Sequence, residues 1–200
     1  MRPEALVIIV GIEPLEVERV LFAGEVGCPD CPGRLRPWGS ARRRVLRCAT
    51  VEQWRRPRRG RCAGCGHTHV LLAQDCLVRR RDEVGVIGAA LVAKAAGDGY
   101  RRAADKVGVP PATVRGWFRR FAANAEAVRV WFTLLAHGLD PVLGPIWPTG
   151  TRFGDAVEAV AVAARAAVLR LGSLPPWQFA VRGSRGGLLS NTGCPWAPIL

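Results

Sequence analysis

The 200-residue sequence predicts an α+β protein, mainly α, with a metal-stapled set of short antiparallel strands followed by helices. Three observations predict this class. Two CxxC pairs fall in a stretch of short strand-like runs. Residues 100–119 carry the spacing of two helices joined by a tight glycine turn. Residues 153–171 repeat their apolar positions at the helical period.

The composition narrows the partners before any motif is considered. Apolar residues make up 49% of the chain, enough to build a core, and the formal net charge is +13. Such a surplus favours a polyanion, because neutralised phosphates release counterions. Apart from Lys94 and Lys106, all 29 basic residues are Arg, a side chain suited to bidentate phosphate and guanine contacts. No uncharged apolar stretch is long enough to span a bilayer. The apolar run at 6–10 is too short for a signal peptide and is soon followed by Glu13, Glu16 and Glu18. The expected location is the cytoplasm, on the nucleoid and away from any membrane.

Four regions follow in order. Residues 1–27 hold two Arg against five Glu, a net −3, and predict a strand and a short helix. Residues 28–83 hold 14 Arg against five acids, a net +9, with strand-like runs at 44–47 and 69–72. Residues 84–137 predict helices. Residues 138–200 begin with a Pro/Gly-rich loop at 138–150 and continue into the 153–171 helix. They end in a Gly, Ser and Pro-rich tail, where 183–187 is expected to be mobile.

The CxxC pairs are Cys28-Pro-Asp-Cys31, followed by Pro32-Gly33, and Cys62-Ala-Gly-Cys65, followed by Gly66-His67. Two residues between thiolates let a tight turn aim both at one ion, and the glycine lets the backbone curl its N–H groups toward sulfur. Two such knuckles supply a tetrahedral four-cysteine site for one structural Zn²⁺, a zinc ribbon. The 30 intervening residues exceed the usual spacing of about 15–20, and an inserted or elongated hairpin within 42–61 would absorb the excess. A thioredoxin-like redox CxxC would need a βαβ context, which the sequence lacks. His67 and His69 are alternative ligands, although both are expected on the strand leaving the second knuckle. Cys48, Cys76 and Cys194 read as small apolar residues. Four thiolates leave no open position for water, so this centre holds a fold and performs no hydrolysis.

The inserted segment is rich in arginine. Arg42, Arg43 and Arg44 precede the run Arg55-Arg56-Pro57-Arg58-Arg59-Gly60-Arg61, with Trp38 and Trp54 nearby. Arg55, Arg56, Arg58 and Arg59 are candidates for contacts to a phosphate backbone. The alternative is a solvated charged face with both Trp in the small core. Arg79, Arg80 and Arg81 form a third cluster that joins this region to the helices, as a linker able to track the DNA backbone.

The segment YRRAADKVGVPPATVRGWFR predicts a first helix ending at Val107 and a turn at Gly108, where a left-handed conformation is wanted. Ala104 is small enough for the helices to approach. Pro111 suits the first turn of the second helix. Val114, Trp117, Phe118 and Phe121 at i, i+3, i+4 and i+7 form its core stripe. The opposite face carries Ala112, Arg115, Gly116 and Arg119, with Thr113 and Arg120 at the margins. Small residues let such a helix seat in a major groove, where Arg bonds guanine bidentately. A preceding helix near 82–97 completes a tri-helical helix-turn-helix, and an ordinary helical hairpin with a polar face is the alternative.

The stretches CPDCPGRLRPWG, RPRRGRCAGCGHTHVLL, RRRDEVGVIGAAL, GVPPATVRGWFRRF and DAVEAVAVAARA, within roughly residues 26–170, give the chain its resemblance to a known group. It resembles small bacterial proteins of unknown function that combine a zinc ribbon with a helix-turn-helix and are found beside insertion-sequence transposases and integrases. The order also resembles the DNA-binding amino-terminal half of several bacterial transposases. The resemblance implies binding of double-stranded DNA, with Cys28, Cys31, Cys62 and Cys65 as ligands and 112–120 as recognition helix. It also implies a transposase or integrase as partner.

Three functions compete on sequence grounds. One is a sequence-specific DNA-binding regulator or transposition accessory factor, with no enzyme activity. Another is a transposase or integrase, whose chemistry needs three carboxylates on two metals; after the helix-turn-helix only Glu126, Asp140, Asp155 and Glu158 are available. The third is an RNA-binding or protein-docking ribbon, disfavoured because A-form major grooves exclude a helix. Apolar residues beyond 122, among them Trp131, Phe132, Leu134 and Leu135, serve either the core or a homodimer contact.

Overall fold

The structure, a computed structural model, describes residues 7–190. The expectations for Cys194 and for the chain after Ser190 lie outside the described residues. The fold is α+β. In order, the elements are β1 (Val7–Val10), α1 (Pro14–Ala23), β2 (Leu35–Ser40), β3 (Arg44–Arg47), β4 (Glu52–Arg55), β5 (Arg58–Cys62) and β6 (Thr68–Ala73). The helices α2 (Val84–Ala95), α3 (Tyr100–Val107), α4 (Pro111–Leu139), α5 (Arg152–Leu171) and α6 (Pro176–Gly183) follow.

The strands form a four-stranded sheet, β1-β6-β5-β2, and a separate β3-β4 ribbon. β2 and β5 pair directly, Leu35 opposite Cys62, so the hairpin at 44–55 is an insertion between two strands that would otherwise be neighbours in sequence. This accounts for the long spacing between the CxxC pairs. The amino-terminal segment joins this sheet, because β1 pairs in parallel with β6, Val7 opposite Val70. α1 covers one face of the sheet through Val17 and Leu21, packed with Leu35, Cys62 and Leu71. Gly60 makes that approach possible: a Cβ there would lie 3.0 Å from Leu35 Cβ.

The β3-β4 ribbon is held by its own small cluster of Leu46, Leu72 and Cys76, and by two buried acids. Arg55 donates to Asp75 at 2.8 Å and Arg47 pairs with Asp82 at 2.8 Å, with only 4% of each Asp side chain exposed. Backbone bonds from Arg47 N–H to Arg81 O, 2.7 Å, and from Glu83 N–H to Arg47 O, 2.9 Å, fasten the entry to the helices along the β3 edge.

The helices share one core. α2 is apolar almost all round and buries Val84, Val86, Ile87, Ala90, Leu91 and Ala93, as expected of a helix enclosed by others. α4 runs 29 residues without a break, and α5 lies beside it. The two are parallel. Phe153, at the start of α5, packs on Phe118 and Phe121 near the start of α4, with centroids 6.0 and 4.8 Å apart. Arg170, at the end of α5, donates to Gly138 O at 3.3 Å. The segment between them must therefore return along the length of the pair, and Leu143 and Ile146 pack into the core on the way. Thr151 then caps α5 by accepting the Gly154 N–H at 3.0 Å.

Within the described residues, 176–190 depart from the expected flexible tail. α6 buries Phe179, Ala180 and Val181, and the following turn buries Ser184, Leu188 and Leu189. Residues 183–187 are thus tied down where mobility is expected: Val78 N–H donates to Gly186 O at 3.0 Å, and Trp131 Nε1–H to Gly183 O at 2.9 Å. Glycine permits this closeness, because a Cβ at Gly183 would lie 3.0 Å from the Phe132 ring. Of the apolar residues after 122, Phe132 is fully buried and Trp131 and Leu135 pack against the core, while Leu134 is 52% exposed.

Phe132 is wholly buried and stacks edge-on with Phe179 of α6 at 6.2 Å. Phe132→Ala should cost about 3–5 kcal/mol through lost burial and a residual cavity. Leu169→Ala, at a position 98% exposed, should leave the denaturant midpoint within the error of wild type. Equal midpoints for the two variants would show that α6 does not dock on α4.

Candidate metal centre and arginine-rich face

The two CxxC turns have the same local geometry. Cys28 N–H donates to Gly33 O at 2.9 Å, and Cys62 N–H to His67 O at 2.8 Å, so each pair closes over five residues. Backbone N–H groups then turn toward sulfur: Asp30 to Cys28 at 3.4 Å, Gly33 to Cys31 at 3.3 Å, and Gly64 and Cys65 to Cys62 at 3.3 and 3.5 Å. Gly33 is required for closeness, since a Cβ there would stand 2.6 Å from Cys62 Sγ. Pairing of β2 with β5 brings the turns face to face.

Cys28, Cys31, Cys62 and Cys65 place their four Sγ atoms within 4.8 Å of one another. Cys31 and Cys62 are 3.4 Å apart, and Cys28 and Cys65 3.7 Å. Four sulfurs about 2.3 Å from one tetrahedral zinc stand about 3.8 Å apart, so the donor set fits one such ion. The N–H of Cys65, opposed by burial and helped by that of Gly64, brings the Cys62 thiol down to about 6, whereas, against the His67 N–H, burial and the neighbouring sulfurs push the Cys65 thiol up to about 12, and burial raises that of Cys28.

The histidines stand beside this set. His69, on β6, is 1% exposed and places Nε2 3.6 Å from Cys28 Sγ and 3.8 Å from Asp30 Oδ2. His67 lies just before that strand and holds Asp30 through Nδ1 at 2.7 Å. Both contact the first knuckle, and the ligand atoms of His69, Cys28 and Asp30 also lie within 4.8 Å of one another. The spacing of the sequence did not predict this contact, because it depends on β6 lying next to β5. Cys76 is buried in the small cluster under the β3-β4 ribbon, with Cys48 packed against it, apart from the four-sulfur site. Burial, with Asp75 beside it, pushes the Cys76 thiol up to about 12.

At the other candidate surface, Gly108 ends α3 with φ 66°, and Val109 N–H reaches back to Ala104 O at 3.2 Å. Ala103 and Ala104 are buried against α4, which turns Val114, Trp117, Phe118 and Phe121 inward. Ala112, Arg115 and Arg119 are exposed, and Thr113, Gly116 and Arg120 are half-buried. Arg115 and Arg101 both lie over the Tyr100 ring, 5.9 and 5.7 Å from its centroid. Arg120 folds back to donate to Gly116 O at 3.0 Å, and a Cβ at Gly116 would meet that guanidinium at 3.0 Å.

The four arginines singled out near the hairpin divide into two kinds. Arg55 is bound to Asp75. Arg58 pairs with Glu18, Nη2 to Oε2 at 3.2 Å, and donates to Ser40 Oγ at 2.9 Å, which ties α1 to the sheet. Their guanidiniums thus have carboxylate partners inside the protein. Arg56 is exposed and Arg59 half-buried. Arg42 and Arg43 are also exposed, and Arg43 lies 4.3 Å from the Trp54 ring centroid. Trp54 and Trp38 are more than half exposed and so do not fill the core of the sheet.

Cys62→Ser should lower bound metal well below one ion per chain, measured by elemental analysis of the purified protein. Cys76→Ser should leave the content unchanged. Acidification should release the metal from wild type, because protons and metal compete for the same sulfurs. Retention of a full equivalent by Cys62→Ser would remove that sulfur from the ligand set. Comparison with known proteins gives no match: no family model, no curated protein and no solved structure is detectably similar to this chain.

Proposed function

We propose that this protein is a sequence-specific binder of double-stranded DNA, with α3, the Gly108 turn and α4 as a helix-turn-helix and a structural Zn²⁺ in the four-cysteine site. The observation that carries the reading is the outward face of α4. Ala112 and Gly116 are small residues on that face, with the exposed Arg115 and Arg119 beside them and Arg120 folded onto Gly116, on a helix whose other face is locked by Trp117 and Phe121. Small residues let a helix seat in the roughly 12 Å wide major groove, and arginine is the side chain that reads guanine O6 and N7. The net charge of +13 supplies the long-range attraction to the duplex.

The zinc is structural because four thiolates close its coordination sphere. Catalysis is no part of the reading. The resemblance to proteins encoded beside transposases makes a regulator or transposition accessory factor, acting with a transposase or integrase, the role that fits best.

Duplexes selected from a random pool, titrated with salt, test this. Arg115→Ala or Arg119→Ala should cost ~1–3 kcal/mol on the selected site and little on scrambled DNA. Arg56→Ala should weaken both alike and lower the salt slope by about one. An unchanged specificity ratio in both helix variants would defeat the recognition-helix assignment even if affinity fell.

A further inference from the structure

His69 is buried beside the four sulfurs and belongs neither to their group nor to the arginine-rich face. It stands on β6, where the alternation of the strand puts it on the same side as Leu71, the face that α1 covers, and it is only 1% exposed. Opposite it on β5 is Gly60, which has no side chain to compete for the space.

An imidazole in such a place still needs partners for its nitrogens. Nε2 faces Cys28 Sγ at 3.6 Å and Asp30 Oδ2 at 3.8 Å. That carboxylate oxygen is already held by His67 Nδ1 at 2.7 Å, so Cys28 is the nearer and freer acceptor. Nδ1 of His69 is buried and has no partner. Buried N–H groups without an acceptor are rare, and the partner of one ring nitrogen sets where the proton sits. The ring therefore carries a proton on Nε2, aimed at sulfur.

Cys28 is set apart by this contact. The N–H groups that reach the other sulfurs belong to the backbone: Gly33 for Cys31, Gly64 and Cys65 for Cys62, and His67 for Cys65. Cys28 has the backbone N–H of Asp30 at 3.4 Å and the imidazole in addition. Nε2 also lies within 4.8 Å of the Cys28 and Asp30 ligand atoms, the spacing of a metal-binding group. It falls outside the group of four sulfurs, however, and those four complete a tetrahedron without it.

We propose that His69 is a positioning residue of the metal centre, whose Nε2–H donates a hydrogen bond to the Cys28 thiolate, fixing its direction and drawing charge from it. Partners that hold a metal ligand from behind typically contribute tenfold to a hundredfold in metal affinity. The inference rests on the zinc reading above and assigns one side chain a part in it.

The test uses the full chain loaded with Zn²⁺, or with Co²⁺, whose sulfur-to-cobalt charge-transfer band reports electron density on the thiolates. His69→Phe keeps a buried ring and removes the N–H, whereas His69→Gln keeps an amide N–H in about the same place. His69→Phe should bind one ion per chain with about tenfold to a hundredfold lower affinity in chelator competition, and its band should move to lower energy. His69→Gln should return both toward wild type. In nitrogen-15-labelled, Zn²⁺-loaded wild type, His69 Nε2 should carry a proton. An Nε2 without one overturns the proposal even if neither variant folds. A His69→Phe variant with wild-type affinity and band energy also overturns it, by reducing the ring to space-filling. Nitrogen ligation in the Co²⁺ spectrum of wild type, lost in His69→Phe, would make His69 a ligand and overturn it as well. A wild type that binds no metal overturns the zinc reading together with this inference, whereas the other results leave a zinc centre standing.

Discussion

Asp75 and Asp82 are the acids on which the arrangement of the two halves depends. A carboxylate taken out of water must be paired, and loss of its partner costs about 3–5 kcal/mol. Each of these aspartates takes its partner from the inserted hairpin, Arg55 from β4 and Arg47 from β3. Both lie on the connection between the last strand and α2, and the backbone there is bonded to β3 as well. The hairpin is thereby fastened to the base of the helices, and the connection between the acids cannot behave as a loose linker. The position of Arg79, Arg80 and Arg81 beside α4 follows from this attachment.

The sulfur centre acts on the other end of the same sheet. β2 and β5 are short and Gly60 leaves room for Leu35 and Leu21 to meet, so the sheet has a small core of its own. Domains with little buried apolar area commonly need a metal or cross-link. Here four sulfurs and the N–H groups aimed at them tie the two cysteine turns together, and the inserted hairpin extends from the opposite ends of β2 and β5. The four-cysteine cluster thus lies at the base of an arginine-bearing element.

α4 combines two tasks in one uninterrupted helix. Its first turns present Ala112, Arg115, Gly116 and Arg119, and its later turns pack through Val128, Phe132 and Ala136 against α5 and α6. Phe153 sits on Phe118 and Phe121, directly behind the outward face. A helix held along its whole length loses little further freedom when its exposed end meets a ligand. The extended return segment that makes α4 and α5 parallel, rather than antiparallel, is the cost in chain length of that support.

Much of this was legible in the sequence, for a common reason. The cysteine turns depend on two-residue spacing and glycine, the Gly108 turn on backbone conformation, and the inward stripe of α4 on a 3.6-residue period; all are rules acting over a few neighbours. The strand at 44–47 and the helix near 153–171 are visible by the same rules. Only the tertiary structure decided which arginines meet acids. Arg55 and Arg58 look the same as Arg56 in the sequence, yet they reach Asp75 and Glu18 while Arg56 faces water. It also decided that β1 lies parallel to β6, that His69 stands against Cys28, and that 183–187 is packed rather than loose. These contacts join residues tens of positions apart. No periodicity records such pairings, because they are selected by which surfaces remain to be buried once the local elements have formed.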